Sequence, residues 1–473
     1  MALDIIVKAN DGRGMGHIGR VRNWIDYLLF NSSIGIIAHN EYANLVPQRV
    51  ANILVKDEGF RVDLDSAQIW EKWTPHNRTQ GIAKEEAINN YYFSLLDMLT
   101  NGSGKLVYID DQNAPETPFM KNIGSIIGKP ILDIEDLSPG SRIAFEIETQ
   151  IWDRNGNESM GKTREECFRK ADYLHLSSDA DFMRQVVGKY EFTPGNQNVI
   201  PMGFPLAKSS RELFDNIKSN PNLREGIIND LYDKLGENNK KKSLAYSSFG
   251  AGEGASEVID ALCDVANNFA DKVFVAGNPR DKLAIFAKQK GCNVVDRGAG
   301  VKKIQLDKGV VYLTDFGTIA SHLELVAAAD VLIQGNGSGT TYEGMAAQNP
   351  KINIPLDRPG YEQLIKALGV VLLGCGELLL LPKAEEQLKN LANLTATYGH
   401  TLNAAGKGLN ADNLGGYLSN MLSNPNSYRN NLKAVQDFFA DPVTTSNVIK
   451  DMAYGNCTAA QIIHRNKLKN YFI

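Results

Sequence analysis

Three short segments of this 473-residue chain carry residue types suited to chemistry. The first is Gly12-Arg13-Gly14-Met15-Gly16-His17-Ile18-Gly19-Arg20, directly after an apolar run. Glycines there let the backbone come close to a ligand, and a following helix offers free N–H groups at its positive end. A histidine titrates near neutrality, so His17 is suited to take a proton from an acceptor hydroxyl. The bland alternative is a structural turn with an incidental histidine. The spacing is no dinucleotide fingerprint, because no acidic residue follows the next strand at the expected distance. The second segment is Asp110-Asp111, closing the run KLVYIDD. Either carboxylate can orient a histidine and stabilise its protonated form, and the sequence leaves open which would face His17.

The third and richest segment is Gly335-Asn336-Gly337-Ser338-Gly339-Thr340-Thr341-Tyr342-Glu343. Its small and hydroxylated residues present N–H and O–H donors to a diphosphate. Glu343, about one turn into the next helix, can accept hydrogen bonds from both hydroxyls of a ribose. Glu362 and Gln363 follow the next strand, where they can grip another polyhydroxylated group.

These segments need elements to hold them. DIIVKAN (4–10), IGIIAHN (34–40) and KLVYIDD (105–111) read as strands, with a helical pattern over 84–99 between them. YLHLSS (173–178) and NVIPMG (198–203) are further apolar runs. A polar stretch from Lys208 to Lys242 separates these from a second series. That series runs SLAYSSFG (243–250), a helix over 254–270, KVFVAG (272–277), NVVD (293–296), VVYLTD (310–315), a short helix over 318–329, DVLIQ (330–334) and KINIP (351–355). Alternating strands and helices imply parallel sheets with helices on both faces. The expected fold class is α/β, with two doubly wound Rossmann-like domains facing across a cleft. Their bounds are set at 1–207 for the acceptor side, 208–242 for a linker and 243–418 for the nucleotide-sugar side. Helices over 419–473 are expected to pack back on the first domain.

Composition bounds the possibilities. With 50 basic and 55 acidic side chains the formal net charge is −5, against the basic excess of a dedicated nucleic-acid binder. A hydrophobic fraction of 43% with 22% charged residues excludes a disordered chain, a coiled coil or a collagen-like repeat. The opening MALDIIVKANDGRG lacks a signal-peptide pattern, and the apolar stretch Val370–Leu381 is too short to span a bilayer. Five scattered cysteines form no CxxC pair and no zinc spacing, which reads as reduced thiols in a cytoplasmic protein.

The pattern over 312–363 resembles the donor-binding segment of GT-B glycosyltransferases, especially the inverting nucleotide-sugar-dependent group. That group includes small-molecule glycosyltransferases and the peptidoglycan N-acetylglucosaminyltransferase. Here the pattern reads GSGTTYEGMAAQNP, then KINIP, then YEQ. GMGHIGR is similar to the same enzymes' GxGH loop, and Ser247-Ser248-Phe249-Gly250 resembles the loop after the first strand of their second domain. The resemblance implies a hexosyl transfer from a nucleotide-diphosphate sugar, uridine-linked by analogy, to an acceptor hydroxyl. It implies His17 as base with Asp110 or Asp111 beside it. It also implies a donor site of Gly14, Gly16, Ser248, Gly250, Gly337, Ser338, Gly339, Thr340, Glu343, Glu362 and Gln363, with no cofactor and no metal ion. Two departures stand out: Gln334 where many relatives have histidine, and Gln348 in place of a glycine. Retaining enzymes carry a second glutamate at the place of Asn336, so inversion is expected. Epimerases and hydrolases of this fold share similar loops.

A competing motif, Gly156-Asn157-Glu158-Ser159-Met160-Gly161-Lys162-Thr163, matches the phosphate loop of ATP- and GTP-dependent enzymes. It follows the polar Trp152-Asp153-Arg154-Asn155 rather than a buried strand, and the best acidic strand lies upstream. His322 reads as a surface or helix residue rather than a ligand, and Lys240-Lys241-Lys242 as a solvated linker.

Overall fold

The computed structural model describes the strands of the first two hundred residues and most of the chain from 203 to 467. Within that second span it leaves out 205, 250–254, 270, 278–279, 299, 316, 357–361, 395–405, 442, 446, 449–450 and 452–458. His17, Asp111, Gly14, Gly16, Gly250, the segment 156–163 and the expected helix over 84–99 lie outside the described residues.

The first sheet consists of β1 (Leu3–Lys8), β2 (Ser32–Ile37), β3 (Lys105–Asp110), β4 (Leu132–Leu137), β5 (Leu174–Ser177) and β6 (Val199–Pro201). Its order is β2-β1-β3-β4-β5-β6 and every pairing is parallel. The chain leaves β1 toward one edge and returns to β3 on the other side. In such a sheet ligands bind outside the carboxyl ends of the two strands flanking the reversal. Register pairs Lys8, the last residue of β1, with Asp110, the last of β3. The segment after β1, which holds His17, and Asp110 therefore start from one point of the sheet edge.

The polar stretch that follows is helical: α1 (Lys208–Ser219) and α2 (Pro221–Leu235), the latter burying Leu231, Tyr232 and Leu235. The second sheet then begins with β7 (Ser243–Ser248), α3 (Ala255–Asn268), β8 (Lys272–Gly277) and α4 (Arg280–Gln289). It continues through β9 (Asn293–Gly298), β10 (Val301–Gln305), β11 (Val310–Thr314), α5 (His322–Ala328) and β12 (Val331–Gln334). After these come α6 (Ser338–Ala346), β13 (Lys351–Asn353), α7 (Glu362–Leu372), β14 (Gly376–Leu380), α8 (Pro382–Leu394) and β15 (Lys407–Gly408). Helices α9 (Ala411–Ser423), α10 (Pro425–Ala434) and α11 (Ala459–Arg465) close the described chain.

The order of this sheet is β15-β14-β13-β12-β7-β8-β11-β10-β9. All neighbours are parallel except β10, which runs against both β9 and β11. Strands β7, β8, β11 and β12 are buried on both faces, so Val, Leu, Ile and Tyr fill them without polar alternation, as parallel sheets covered by helices require. The peripheral β9 is largely exposed. The reversal of this second sheet falls between β7 and β12, whose last residues, Ser248 and Gln334, are register partners. Helix α11 lies against β6, and Phe204 just after β6 forms a bridge with Phe439. Among the described residues no helix is long and apolar enough to cross a membrane.

Candidate functional site at a strand-order reversal

The carboxyl ends of β7 and β12 are joined by Gly335 N–H donating to Ser248 O at 3.4 Å. From there the chain turns through Gly335, Asn336 and Gly337 into α6. Asn336 takes a left-handed φ of 60°, which asparagine tolerates better than most side chains. Beneath the turn lies a buried amide cluster. Gln334 Nε2 and Asn336 Nδ2 donate to Asn353 Oδ1 at 3.0 and 2.7 Å, and Asn353 Nδ2 donates to Glu377 O at 3.0 Å. This cluster gives Gln334 its role: an amide that locks the turn to β13. Gly335 is pressed close, since a Cβ there would stand 3.0 Å from Leu356 Cγ and 3.3 Å from Phe249 Cδ1.

Past this support the surroundings open. Gly337 caps α6 with φ −62° and ψ 143°, a conformation any residue adopts, and no described side chain caps the helix. A Cβ on Gly337 or Gly339 would meet no described residue within 4 Å. These two glycines therefore answer to no demand of the backbone. Among the described residues they leave space beside the first turn of α6, whose N–H groups have no intrahelical partner and whose dipole favours an anion. Ser338 opens that helix and Thr340 stands in its first turn, half-buried.

Glu343 lies one turn further along, 19% exposed at its side chain. His322 Nε2 approaches Glu343 Oε2 at 3.1 Å, and Ser210 Oγ donates to Oε1 at 3.4 Å. His322 Nδ1 is 3.0 Å from the phenol oxygen of Tyr246, while Thr340 Oγ1 lies 3.5 Å from Nε2. Burial, the largest influence on it, pushes the Tyr246 phenol far above its ordinary pKa; a hydrogen bond to Ser248 acts in the opposite direction, and the Glu343 charge raises it further. Ser248, expected at the donor site, thus joins the same chain of polar groups.

His322 is therefore no bystander of the helix surface: it is the first residue of α5 and faces Glu343. A signal for it did exist in the sequence. Ser321 accepts from Glu324 N, and Glu324 Oε2 accepts from Ser321 N, a capping box that fixes where α5 begins. A helix entering between β11 and β12 starts at the carboxyl edge of the sheet, so its first residue belongs to the ligand edge.

The remaining expected residues are placed as follows. Gln363 sits in α7 and its Oε1 accepts from Leu356 N at 3.0 Å, so it braces the segment after β13. Glu362 opens the same helix. Ser248 is buried at the end of β7. Asp110 is placed only by its strand register. Gln348 has a left-handed φ of 58° where α6 ends. Its N–H donates to Met345 O at 3.1 Å, and Asn349 N donates to Gly344 O at 3.0 Å, which together form a Schellman ending. That position favours glycine, and the chain carries glutamine there at a cost of about 1 kcal/mol.

No family model matches the chain, and no curated protein is similar to it in sequence. Solved structures are similar in fold. A structure of Phytolacca americana UGT2 complexed with UDP-2fluoro-glucose and pterostilbene superposes with a TM-score of 0.54 at 10% identity, covering 98% of each chain. LpCGTa in complex with UDP gives 0.53 at 11% identity, again over 98% of both chains. The glycotransferase of kitacinnamycin gives 0.51 at 12% identity, over 95% of this chain and 98% of that one. At such identities the likeness speaks to architecture alone.

Proposed function

We propose that this GT-B-fold chain is an inverting glycosyltransferase that moves a sugar from a nucleotide-diphosphate sugar, UDP-linked by analogy with its structural neighbours, to an acceptor hydroxyl. The observation that carries this is the pairing of an α6 N-terminus that no described residue caps or obstructs with the half-buried Glu343 one turn away. The first suits a diphosphate and the second a ribose diol. In this scheme the backbone of 337–340 receives the diphosphate and Glu343 the ribose. Glu362 and Gln363 flank the sugar, from the start of α7. His17, with Asp110 or Asp111 beside it, takes the proton of the acceptor hydroxyl. The acceptor oxygen then bonds to the anomeric carbon while the bond to the diphosphate oxygen breaks. Charge building on the leaving diphosphate is the main electrostatic task, and helix N–H groups meet it without a cation. The domain bounds 1–207, 208–242, 243–418 and 419–473 belong to the same proposal, with the cleft between the two sheets as the place of reaction.

The test is a thermal-shift and turnover assay with UDP-sugars. UDP should raise the unfolding temperature of the wild type, since a ligand of the native state stabilises it, and Glu343→Ala should lose most of that rise. Donor consumption should require an added acceptor hydroxyl. Equal shifts in both proteins would remove Glu343 from the site. Consumption of the donor alone would mark an epimerase or hydrolase instead, and magnesium-dependent ATP hydrolysis would move attention to Gly156–Thr163.

A further inference from the structure

Glu343 is held by partners of its own chain before any ligand arrives. Tyr246 is fully buried and its phenol stays protonated, which leaves its O–H able to donate to His322 Nδ1 across 3.0 Å. An imidazole that accepts at Nδ1 carries its proton on Nε2 in the neutral form. That N–H then points at Glu343 Oε2, 3.1 Å away. On the other carboxylate oxygen, Ser210 Oγ donates. The scaffold behind His322 is fixed at both ends of α5. The capping box of Ser321 and Glu324 holds the start, and Arg224 from α2 holds the finish. Arg224 Nε and Nη2 donate to Ala327 O and Ala328 O at 3.1 and 2.8 Å, and Nη2 also reaches Asp330 Oδ1 at 2.9 Å.

A carboxylate offers about two acceptor sites on each oxygen. Among the described residues, His322 takes one on Oε2 and Ser210 one on Oε1, which leaves one on each. Two acceptors on one planar group are what a vicinal diol of a ribose requires. We propose that His322 is the positioning residue of this site. By fixing the plane of Glu343, it makes the preference for ribonucleotides over 2′-deoxyribonucleotides depend on the Tyr246–His322–Glu343 chain. This rests on the assignment of Glu343 to the ribose. It adds a residue that touches neither substrate nor reacting atoms, and a form of selectivity the loop glycines do not confer.

The experiment is calorimetry with UDP and 2′-deoxy-UDP on the wild type, His322→Phe, His322→Gln and Tyr246→Phe. It is joined by nitrogen-15 spectra of histidine-labelled free protein. The wild type should bind UDP about tenfold tighter than 2′-deoxy-UDP, the worth of one hydrogen bond to a charged group. His322→Phe should lower UDP affinity to the 2′-deoxy-UDP level while 2′-deoxy-UDP affinity stays within about twofold. His322→Gln keeps an N–H donor and should restore most of the ratio. The free wild type should show His322, assigned by its loss in His322→Gln, with Nε2 protonated and Nδ1 bare. Should His322→Phe fail to fold, Tyr246→Phe carries the test, because release of Nδ1 should mix the two tautomers and reduce the ratio. A folded His322→Phe that discriminates as the wild type does overturns the role of His322 and leaves the nucleotide assignment standing. A wild type that shows the tautomer yet does not distinguish the two nucleotides overturns the ribose assignment and this inference with it. A proton found on Nδ1 in the free protein overturns the inference alone.

Discussion

At the N-terminal end of α6, Gly337 and Gly339 have no described residue within 4 Å of where a Cβ would stand; at its C-terminal end, Gly344 is wedged so that a Cβ would lie 2.5 Å from Leu332 Cδ2 and 3.0 Å from Lys351 Cε. One short helix thus uses the same residue type in two opposed ways. The rear glycine lets the helix settle onto β12 and β13, in contact with side chains that are themselves fully buried. The front glycines leave a volume that no described residue fills. Packing at the rear decides where Glu343 sits, and vacancy at the front decides what can reach the helix N-terminus. Tyr342, between them, stacks on Phe204 with ring centroids 4.4 Å apart and is held from a third side of the molecule. If this division is right, substitutions at the rear should act on stability first, and those at the front on binding alone.

The largest effect is expected beneath the rear end. Lys351 is fully buried, and desolvation pulls its ammonium down from an ordinary 10.5 to about 7, with Nζ donating to Asn349 O at 3.0 Å. The folded protein thus releases this proton more easily than the unfolded chain, so between about pH 7 and 10.5 the unfolded state binds more protons. Stability from this group therefore rises with pH across that window, and below about pH 7 the whole cost of burying the charge is carried. Lys351→Met should stabilise the protein by about 2–4 kcal/mol below neutrality, under a ceiling of about 5 kcal/mol, and by little near pH 10. Denaturant melts of both proteins across this range give the difference directly. A gap that does not shrink with rising pH would show that Lys351 enters the fold already relieved of its charge penalty.

Gly344→Ala comes next. Alanine gains about 1 kcal/mol of helix propensity, yet overpacking a filled core costs about 1–3 kcal/mol. Because Leu332 and Lys351 cannot swing into solvent, the net expectation is a loss of about 1–2 kcal/mol. Nucleotide affinity should weaken along with it, as α6 is pushed off the sheet and Glu343 moves relative to His322. A stabilised variant with unaltered affinity would mean that the rear contact does not locate the carboxylate.

This contrast was only half visible beforehand. KVFVAG, VVYLT and DVLIQ announce themselves, since strands buried on both faces are largely apolar runs. Strand β4, LDIEDL, does not, because Asp133, Glu135 and Asp136 break the apolar pattern within a central strand. The stretch Val370–Leu381 reads as one apolar block, whereas Gly374 with φ 67° splits it into the end of α7 and the strand β14. The glycine turn and Glu343 were legible from residue type and spacing. The capping box marks where α5 begins, but the meeting of His322 with Glu343 was not legible: twenty-one positions separate them, and the passage through β12 returns the chain to the same edge. Periodicity reports which face of a helix is apolar, but not which residue of another helix its polar end will meet.

The smallest change in stability, and the sharpest test of the front end, belongs to Gly337→Ala. Its φ and ψ suit alanine without strain, and the added methyl touches no described residue within 4 Å. Alanine is a poorer cap than glycine, so the cost in stability should stay below about 0.7 kcal/mol. The methyl would nevertheless project into the space before the first-turn N–H groups, where a diphosphate needs close approach to the backbone. UDP affinity should therefore fall severalfold while the denaturation midpoint barely moves. Loss of affinity without loss of stability is a combination that no packing defect at the rear produces. Unchanged affinity would mean that the open face at Gly337 is simply surface, and would shift the diphosphate toward the segment after β7.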